Sequence, residues 1–231
     1  MPPTTVIGFA HRGARAHAPD NTLRAFRTAM RLGATGIETD VWLTADDVPA
    51  LHHGGRVRVG RRRVAIGSLP VDALPASVPT LAALYDECGV DLDLSLDLKD
   101  GRSARAVLAV AAIAGHNPTR LWLCGRGPQP LAWRALDDRV RLVCDTRSAH
   151  LTDGWAAYLS AVRAGGADAV NLRRRRWSAD LVEQVHVAGL LAFGWDAQST
   201  RRIRALVELG CDAVYSDHVD RMVAVLGVPA G

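Results

Sequence analysis

Lysine is almost absent from this sequence, since Lys99 is the only lysine among 28 lysine and arginine residues. Aromatic residues are also few, at 5%. No basic stripe is interleaved with them, so the net charge of +4 does not indicate a nucleic-acid-binding protein. No apolar run approaches the roughly 18 residues of a membrane-spanning helix, so no integral membrane segment is expected. The basic balance suits small anionic ligands.

Cysteine is limited to Cys88, Cys124, Cys144 and Cys211. These residues are widely spaced and form no C-x-x-C pair and no Cys/His cluster with zinc spacing, which predicts buried, reduced thiols. The first residues, MPPTTVIGFAHRG, lack the basic and apolar regions of a secretory leader. These features predict a soluble cytoplasmic protein.

Short strand-like runs alternate with segments of helical spacing along the whole chain. Eight strands can be counted: VIGFA, GIETDVWL, VDLDLSLDL, RLWLC, VRLVC, ADAVNL, LLAFGW and DAVYS. Helical spacing is found at residues 22–32, 81–88, 103–114, 155–164, 180–188 and 200–209. Several of these segments end at glycine, the usual stop before a new buried strand.

Eight β/α units in 231 residues predict an α/β fold, the (β/α)8 TIM barrel, whose typical length is about 250 residues. A doubly wound open sheet is the alternative. We expect a single domain over residues 1–231. The least regular stretch, residues 54–79, predicts a long loop with one short hairpin. We expect this stretch to be the one insertion after the second strand, and it is a short one for an insertion in a barrel.

Acidic residues occupy alternate positions in two of the predicted strands, so their side chains share one face of each strand. In GIETDVWL, Glu38 and Asp40 point to the same face, and in DLDLSLDLKDG the acids, Ser95 and Lys99 share the face opposite the leucines. A polar face inside a barrel is costly unless it is paired or binds a ligand. Convergence of Glu38, Asp40 and Asp97 at the C-terminal mouth would select a hard cation, Mg²⁺ or Ca²⁺. A carboxylate network neutralised by arginine and lysine, without metal, is the alternative.

Histidines lie close to these acids in the predicted fold. His11 and Arg12 are placed where the first strand ends, and His52 and His53 follow the acidic strand. Neighbouring residues of an extended backbone face opposite ways, so only one of the two adjacent histidines is expected to reach the site. Two imidazoles, an arginine, Lys99 and three acids suit the cleavage of a phosphodiester.

Other polar clusters have a simpler interpretation. The DNT sequence at residues 20–22 suits a helix cap. The arginine runs at residues 60–63 and 173–176 are typical of solvated surface. Capture of an anionic headgroup is the functional alternative for the second run.

These motifs resemble those of the glycerophosphodiester phosphodiesterase family over nearly the whole chain. The family's H-R-G and P-E-N-T motifs correspond to HRG at residues 11–13 and PDNT at residues 19–22. Its G-x-x-x-x-E-x-D-V-x-x-T-x-D motif corresponds to GATGIETDVWLTAD. Its E-x-K motif corresponds to DLK at residues 97–99, and its closing motif to GCDAVYSD, which ends at Asp217.

The resemblance implies a metal-dependent barrel that hydrolyses small glycerophosphodiesters to sn-glycerol 3-phosphate and an alcohol, within lipid and glycerol metabolism. The implied cofactor is one Mg²⁺ or Ca²⁺. The implied roles are acid/base catalysis for His11 and His53, metal binding for Glu38, Asp40 and Asp97, and phosphate or substrate binding for Arg12, Lys99 and Trp195. Core packing is the alternative for Trp195. The oligomeric state is not indicated.

Two positions and one segment depart from the family pattern. The segment is the insertion that many members carry after the second strand, which is limited here to residues 54–79. Gly54 replaces the aspartate that follows the second histidine, so a carboxylate orienting His53 is absent or comes from elsewhere. Asp97 replaces a glutamate and is one methylene shorter.

Other activities are compatible with the same residues. One is the related sphingomyelinase D and phospholipase D-like branch, for which a cyclic phosphate product would be diagnostic. Another is a non-catalytic barrel that only binds phosphodiesters. A zinc amidohydrolase is disfavoured because the HRG motif contains no H-x-H pair.

Overall fold

The computed structural model describes residues 6–227. Its strands are β1 (Ile7–His11), β2 (Gly36–Leu43), β3 (Pro49–Leu51), β4 (Arg56–Val59), β5 (Arg62–Ala65), β6 (Asp93–Leu98), β7 (Leu121–Arg126), β8 (Arg141–Asp145), β9 (Ala169–Arg173), β10 (Leu191–Trp195) and β11 (Ala213–Ser216). Its α-helices are α1 (Leu23–Arg31), α2 (Leu81–Cys88), α3 (Ser103–Ala114), α4 (Gly154–Ala164), α5 (Ala179–Val187), α6 (Thr200–Glu208) and α7 (Val219–Leu226).

Eight of these strands form a closed parallel barrel, which confirms the predicted (β/α)8 fold. The order is β1-β11-β10-β9-β8-β7-β6-β2, and the pairing of β1 with β2 closes the ring. Strand β3 extends β2 in the antiparallel direction. Strands β4 and β5 form a separate two-stranded sheet, the hairpin predicted within residues 54–79. The assignment of residues 1–231 to one domain stays a prediction.

The helices α1–α6 lie within a residue or two of the six helical segments predicted from the sequence. Helix α7 was not among the predicted segments. The connection from β7 to β8 has no α-helix and contains only a 3-10 turn, Gln129–Trp133. Pro128 and Pro130 remove two backbone donors there, which opposes a regular α-helix. Within residues 6–227, no helix is both long and apolar enough to cross a lipid bilayer.

An aromatic cluster fills the barrel interior below the C-terminal strand ends. Phe9 stacks on Tyr215 with ring centroids 4.9 Å apart, and Trp122 lies 5.1 Å from Phe193. Gly36 provides the space for this cluster, because a Cβ there would lie 2.7 Å from the Phe9 ring and 2.8 Å from a backbone oxygen. The lower half of the barrel is therefore a packed core.

The lower and middle parts of the acidic face of β6 are paired with other polar groups. At its lower end Asp93 accepts hydrogen bonds from Trp122 Nε1 (2.9 Å) and Arg120 Nε (3.3 Å). In the middle, Ser95 Oγ and Tyr215 Oη share a hydrogen bond of 3.1 Å. These partners offset the cost of placing polar groups inside the barrel, so only its upper end remains for chemistry.

We expect Phe9→Ala to lower the free energy of unfolding by about 3–5 kcal/mol, because Phe9 is 0% exposed and its removal leaves a cavity among three other rings. Denaturant unfolding measures the change. Ile113→Ala on α3 is the matched control, since Ile113 is 87% exposed and its truncation should change stability by less than about 0.5 kcal/mol. Equal losses in both variants would contradict this account of the core.

Candidate active site

A cavity of about 170 Å³ opens at the C-terminal ends of the barrel strands, where barrel enzymes keep their active sites. It is lined by His11, Arg12, Glu38, Asp40, Ser95, Asp97, Lys99, Cys124, Asp145, Arg147, Asn171, Trp195 and Tyr215. Seven of the eight site residues predicted from the sequence are among these. The eighth, His53, lines an adjoining groove and contacts residues of the cavity.

Asp40 is the most connected of the predicted residues and is only 1% exposed. Its carboxylate lies 2.9 Å from Lys99 Nζ and 3.2 Å from Arg12 Nε. It also accepts hydrogen bonds of 3.1 Å from Asn21 Nδ2 and from His53 Nδ1. Burial alone would raise the pKa of Asp40, but the contacts with His53, Lys99 and Arg12 outweigh it and hold the pKa below its usual range.

His53 is held between an acceptor and a donor. Its Nδ1 faces Asp40, and its Nε2 lies 3.2 Å from Arg12 Nη2. A guanidinium can only donate, so Nε2 accepts and the ring proton lies on Nδ1. Asp40 thus supplies the carboxylate that Gly54 cannot. The neighbouring His52 faces elsewhere, where its Nδ1 accepts the Gly54 N–H at 3.1 Å and shapes a turn.

His11 lies between two carboxylates. Its Nδ1 is 2.5 Å from Asp217 Oδ1, and its Nε2 is 3.9 Å from Glu38 Oε2. Burial opposes the charged imidazolium, but Glu38 and the hydrogen bond to Asp217 outweigh it, so the pKa of His11 is raised. Arg15 Nη1 donates to the second oxygen of Asp217 at 3.3 Å, which fixes that carboxylate in place.

The turn after β1 aims both the main chain and the side chain of Arg12 into the site. Arg12 has a φ of 54°, a left-handed conformation that is uncommon for residues other than glycine. Its N–H donates to Glu38 Oε2 at 2.9 Å, and its Nη1 donates to Asp20 at 3.2 Å. Its Nε is buried 3.2 Å from Asp40 Oδ2, an ion pair without hydrogen-bond alignment. The guanidinium is therefore held between Asp20 and Asp40 at the edge of the cavity.

The carboxylates carry more negative charge than their neighbours offset. Burial, together with Asp40 and Asp97, raises the pKa of Glu38 to about 7 although His11 opposes this. Lys99 contacts both Asp40 and Asp97, and these contacts raise the pKa of Lys99 despite its burial. A divalent cation would relieve the remaining repulsion, and oxygen donors suit Mg²⁺ or Ca²⁺. The charge and the oxygen donors of the three carboxylates therefore suit such an ion.

A second group of potential metal ligands lies near the mouth. His17, His218 and Asp220 place their ligand atoms within 4.8 Å of one another, a spacing that a metal ion can bridge. Among the described residues this is the one such group, so Glu38, Asp40 and Asp97 are not mutually that close. His17 Nε2 already lies 2.9 Å from Asp220 Oδ1.

Several cavity residues were not predicted as site residues from the sequence. Asn171 Oδ1 is buried and has no hydrogen-bond partner among residues 6–227. Burial, and then Asp97, raises the pKa of Asp145 to about 6. Both side chains line the cavity, and the two residues are paired in the register of β8 with β9. The polar asparagine within AVNLR was the available sequence signal. Asn21 bridges Asp40 and Thr39, whereas the expected capping of α1 comes from Thr22.

Trp195 lies at the rim of the cavity beneath an arginine. Arg173 Cζ is 5.7 Å from the centroid of the indole, and Arg173 Nε donates to Asp196 at 2.8 Å. The rest of the second arginine run, Arg174–Arg176, forms a 3-10 turn. Trp195 is thus a wall of the cavity and also a packing partner of Arg173.

Comparisons with known proteins agree with this architecture. Residues 11–91 match the model of the glycerophosphoryl diester phosphodiesterase family. Glycerophosphodiester phosphodiesterase 1 of Rattus norvegicus is 48% identical over 56 residues, which are 24% of this chain and 17% of that protein. YhdW of Bacillus subtilis (strain 168), provisionally described as a glycerophosphodiester phosphodiesterase, is 24% identical across 93% of this chain and 96% of its own.

The fold is also shared with a solved structure. An Oleispira antarctica phosphodiesterase, determined in complex with the product sn-glycerol-3-phosphate, superposes with a TM-score of 0.80 at 20% identity. The alignment covers 96% of this chain and 97% of that chain. The motifs at residues 11–91 and the shared barrel together make the chain similar to the glycerophosphoryl diester phosphodiesterase family.

Proposed function

We propose that the chain hydrolyses glycerophosphodiesters to sn-glycerol 3-phosphate and an alcohol. The observation that carries the proposal is that one cavity at the mouth of the barrel is lined by His11, two cations and three carboxylates, and that His53 contacts two of these residues from the adjoining groove. The product in the Oleispira structure, which has the same fold, supports glycerol 3-phosphate as the retained half of the substrate. A cytoplasmic location stays a prediction from the sequence.

In the proposed reaction, an oxygen nucleophile forms a bond to phosphorus, the bond from phosphorus to the alcohol oxygen breaks, and that oxygen takes up a proton. His11 and His53 are the proton-transfer pair, each with Nδ1 held by a carboxylate and Nε2 directed away from it. Arg12 and Lys99 bind the phosphate oxygens, where negative charge develops. Water adds across the ester overall.

Glu38, Asp40 and Asp97 would hold the divalent cation. The ion would supply positive charge to the phosphate and to substrate oxygens. A cation beside the Glu38 carboxyl would lower the raised pKa of that group.

The direct test is a panel of glycerophosphodiesters assayed for release of sn-glycerol 3-phosphate. We expect release with Mg²⁺ or Ca²⁺ and its loss with a chelator, because three acids alone repel an anionic substrate. Restoration by added metal is the control. Failure to release product from any substrate with any metal would contradict the proposal, and a cyclic phosphate product would indicate the sphingomyelinase D-like branch.

Metal binding can be measured without turnover. In metal-free protein, the pKa of Glu38 of about 7 means that stability falls as pH rises from 4.5 toward 7, since the unfolded chain releases this proton earlier. We expect Mg²⁺ or Ca²⁺ to raise the unfolding temperature more at pH 8 than at pH 5. Glu38→Gln should flatten the pH dependence and reduce the metal effect. A metal effect unchanged by this substitution would remove Glu38 from the ligand set.

Lys99→Arg should reduce kcat by about 10²-fold while the protein stays folded. Lys99 Nζ reaches Asp40 and Asp97 at once in a narrow space, where the planar guanidinium of arginine is wider than an ammonium. Arg105→Lys on the exposed side of α3 is the reciprocal control and should leave kcat unchanged. Near-normal turnover by Lys99→Arg would show that charge alone suffices at this position.

Asp217→Asn should lower the pKa of His11, because Asp217 contributes to raising it. The raised His11 pKa stabilises the fold below the unfolded value of 6.5 and ceases to do so as pH rises through the folded value. The lowered pKa of Asp217 stabilises the folded state at pH values above 3.8, the pKa of a free aspartate. The loss of stability should therefore be larger near about pH 5.5 than near about pH 9. NMR titration of the His11 ring and unfolding at both pH values measure these changes, and an unchanged His11 pKa would refute the coupling.

A further inference from the structure

A second cavity, here called the arginine groove, adjoins the proposed active site and measures about 780 Å³. One wall is the β4–β5 hairpin, which contributes Arg56, Arg58, Arg61 and Arg63. His53 also lines the groove, and its hydrogen-bond partner Arg12 lines the active-site cavity. The imidazole of His53 therefore lies where the two cavities meet.

The arginines of the hairpin are not randomly distributed over its two faces. Arg58 lies directly opposite Arg63 in the antiparallel register, and Arg56 lies two residues before Arg58. These three side chains share one face of the hairpin and line the groove. Val57 alternates to the other face and is buried in an apolar cluster at the base of the groove. Arg62 pairs with Val59 and does not line the groove.

A pair of like charges directly opposite each other destabilises a hairpin. No carboxylate within 4.0 Å offsets Arg56, Arg58, Arg61 or Arg63 in the part of the chain that the structure describes. Among residues 6–227, the side-chain hydrogen bonds of these four arginines go only to backbone oxygens, from Arg56 to Arg63 O (2.8 Å) and from Arg58 to Gly60 O (3.2 Å). Other surface arginines have partners, such as Arg139 with Asp137 at 2.8 Å.

The opposite wall does not neutralise this charge. Asp20 lines the groove, but its carboxylate is already paired with Arg12 at 3.2 Å and lies 3.8 Å from Arg15. His52, beside the groove, has a lowered pKa because of burial, and Arg63 contributes to the shift. The groove thus presents an unbalanced positive charge next to the site of chemistry.

Building on the proposed function, we infer that the arginine groove is the subsite for the alcohol half of the substrate and that this alcohol carries its own phosphate group. Guanidinium groups bind phosphate through paired N–H donors. A phosphate between Arg58 and Arg63 would also remove the like-charge repulsion between the two strands. The preferred substrates are therefore glycerophosphodiesters with an anionic leaving group.

The test compares glycerophosphoinositol with glycerophosphoinositol 4-phosphate, which differ in one phosphate on the alcohol. For wild type, kcat/KM should favour the phosphorylated substrate, and the preference should fall as salt concentration rises. The ratio to compare is kcat/KM for the phosphorylated substrate divided by kcat/KM for the unphosphorylated one. The double variant Arg58→Gln, Arg63→Gln should reduce this ratio by about ten-fold or more, the loss expected for charged hydrogen bonds. Arg62→Gln is the matched control and should leave the ratio unchanged.

A binding measurement separates this inference from the proposed function. Calorimetry on chelator-treated protein, in which hydrolysis is stopped, should show tighter binding of the phosphorylated ligand to wild type than to the double variant. This difference is expected even if neither compound is a substrate. Equal binding by the two proteins, or an unchanged kcat/KM ratio, would overturn the inference. If the double variant lost the binding of wild type to anionic lipid vesicles but kept its kcat/KM ratio, the hairpin would be reassigned to membrane contact. That outcome would overturn the inference as well.

Discussion

The carboxylate of Asp40 organises the mouth of the barrel. An ion that is only 1% exposed costs several kcal/mol unless opposite charges and hydrogen-bond donors surround it. Its partners come from separate parts of the chain, since Arg12 follows β1, His53 follows β3 and Lys99 follows β6. One buried charge therefore brings three chain segments together before any substrate arrives. Removal of this carboxylate would take one partner from two cations and one imidazole at once.

The two histidines occupy contrasting electrostatic environments. His11 lies between the carboxylates of Asp217 and Glu38, so its environment favours the imidazolium and its pKa is raised. His53 lies between a carboxylate and a guanidinium, which fixes the position of its ring proton. Groups of the same type in different environments can divide the donation and acceptance of protons between them. The barrel provides both environments within one mouth.

Much of this arrangement could be predicted from the sequence because strand alternation is a local rule. It placed Glu38 and Asp40 on one face, and the regular spacing of strands indicated the barrel. Contacts between distant segments could not be predicted in this way. Asp217 is 206 residues from His11. The use of Asp40 in place of an acid at position 54 depends on how β2 packs against the following loop, which no local pattern encodes.

The hairpin β4–β5 forms a sheet of its own beside the barrel, and loops join it to the rest of the chain. The face of the hairpin that carries Arg56, Arg58 and Arg63 contains no member of the Asp40 network. Free-energy effects of substitutions at separated sites are close to additive. On the role proposed for the arginine groove, changes in the hairpin therefore alter which substrates are accepted while the Asp40 network stays in place. In evolutionary terms, such a chain can acquire a new specificity as an independent trait, through a few substitutions in one short surface element.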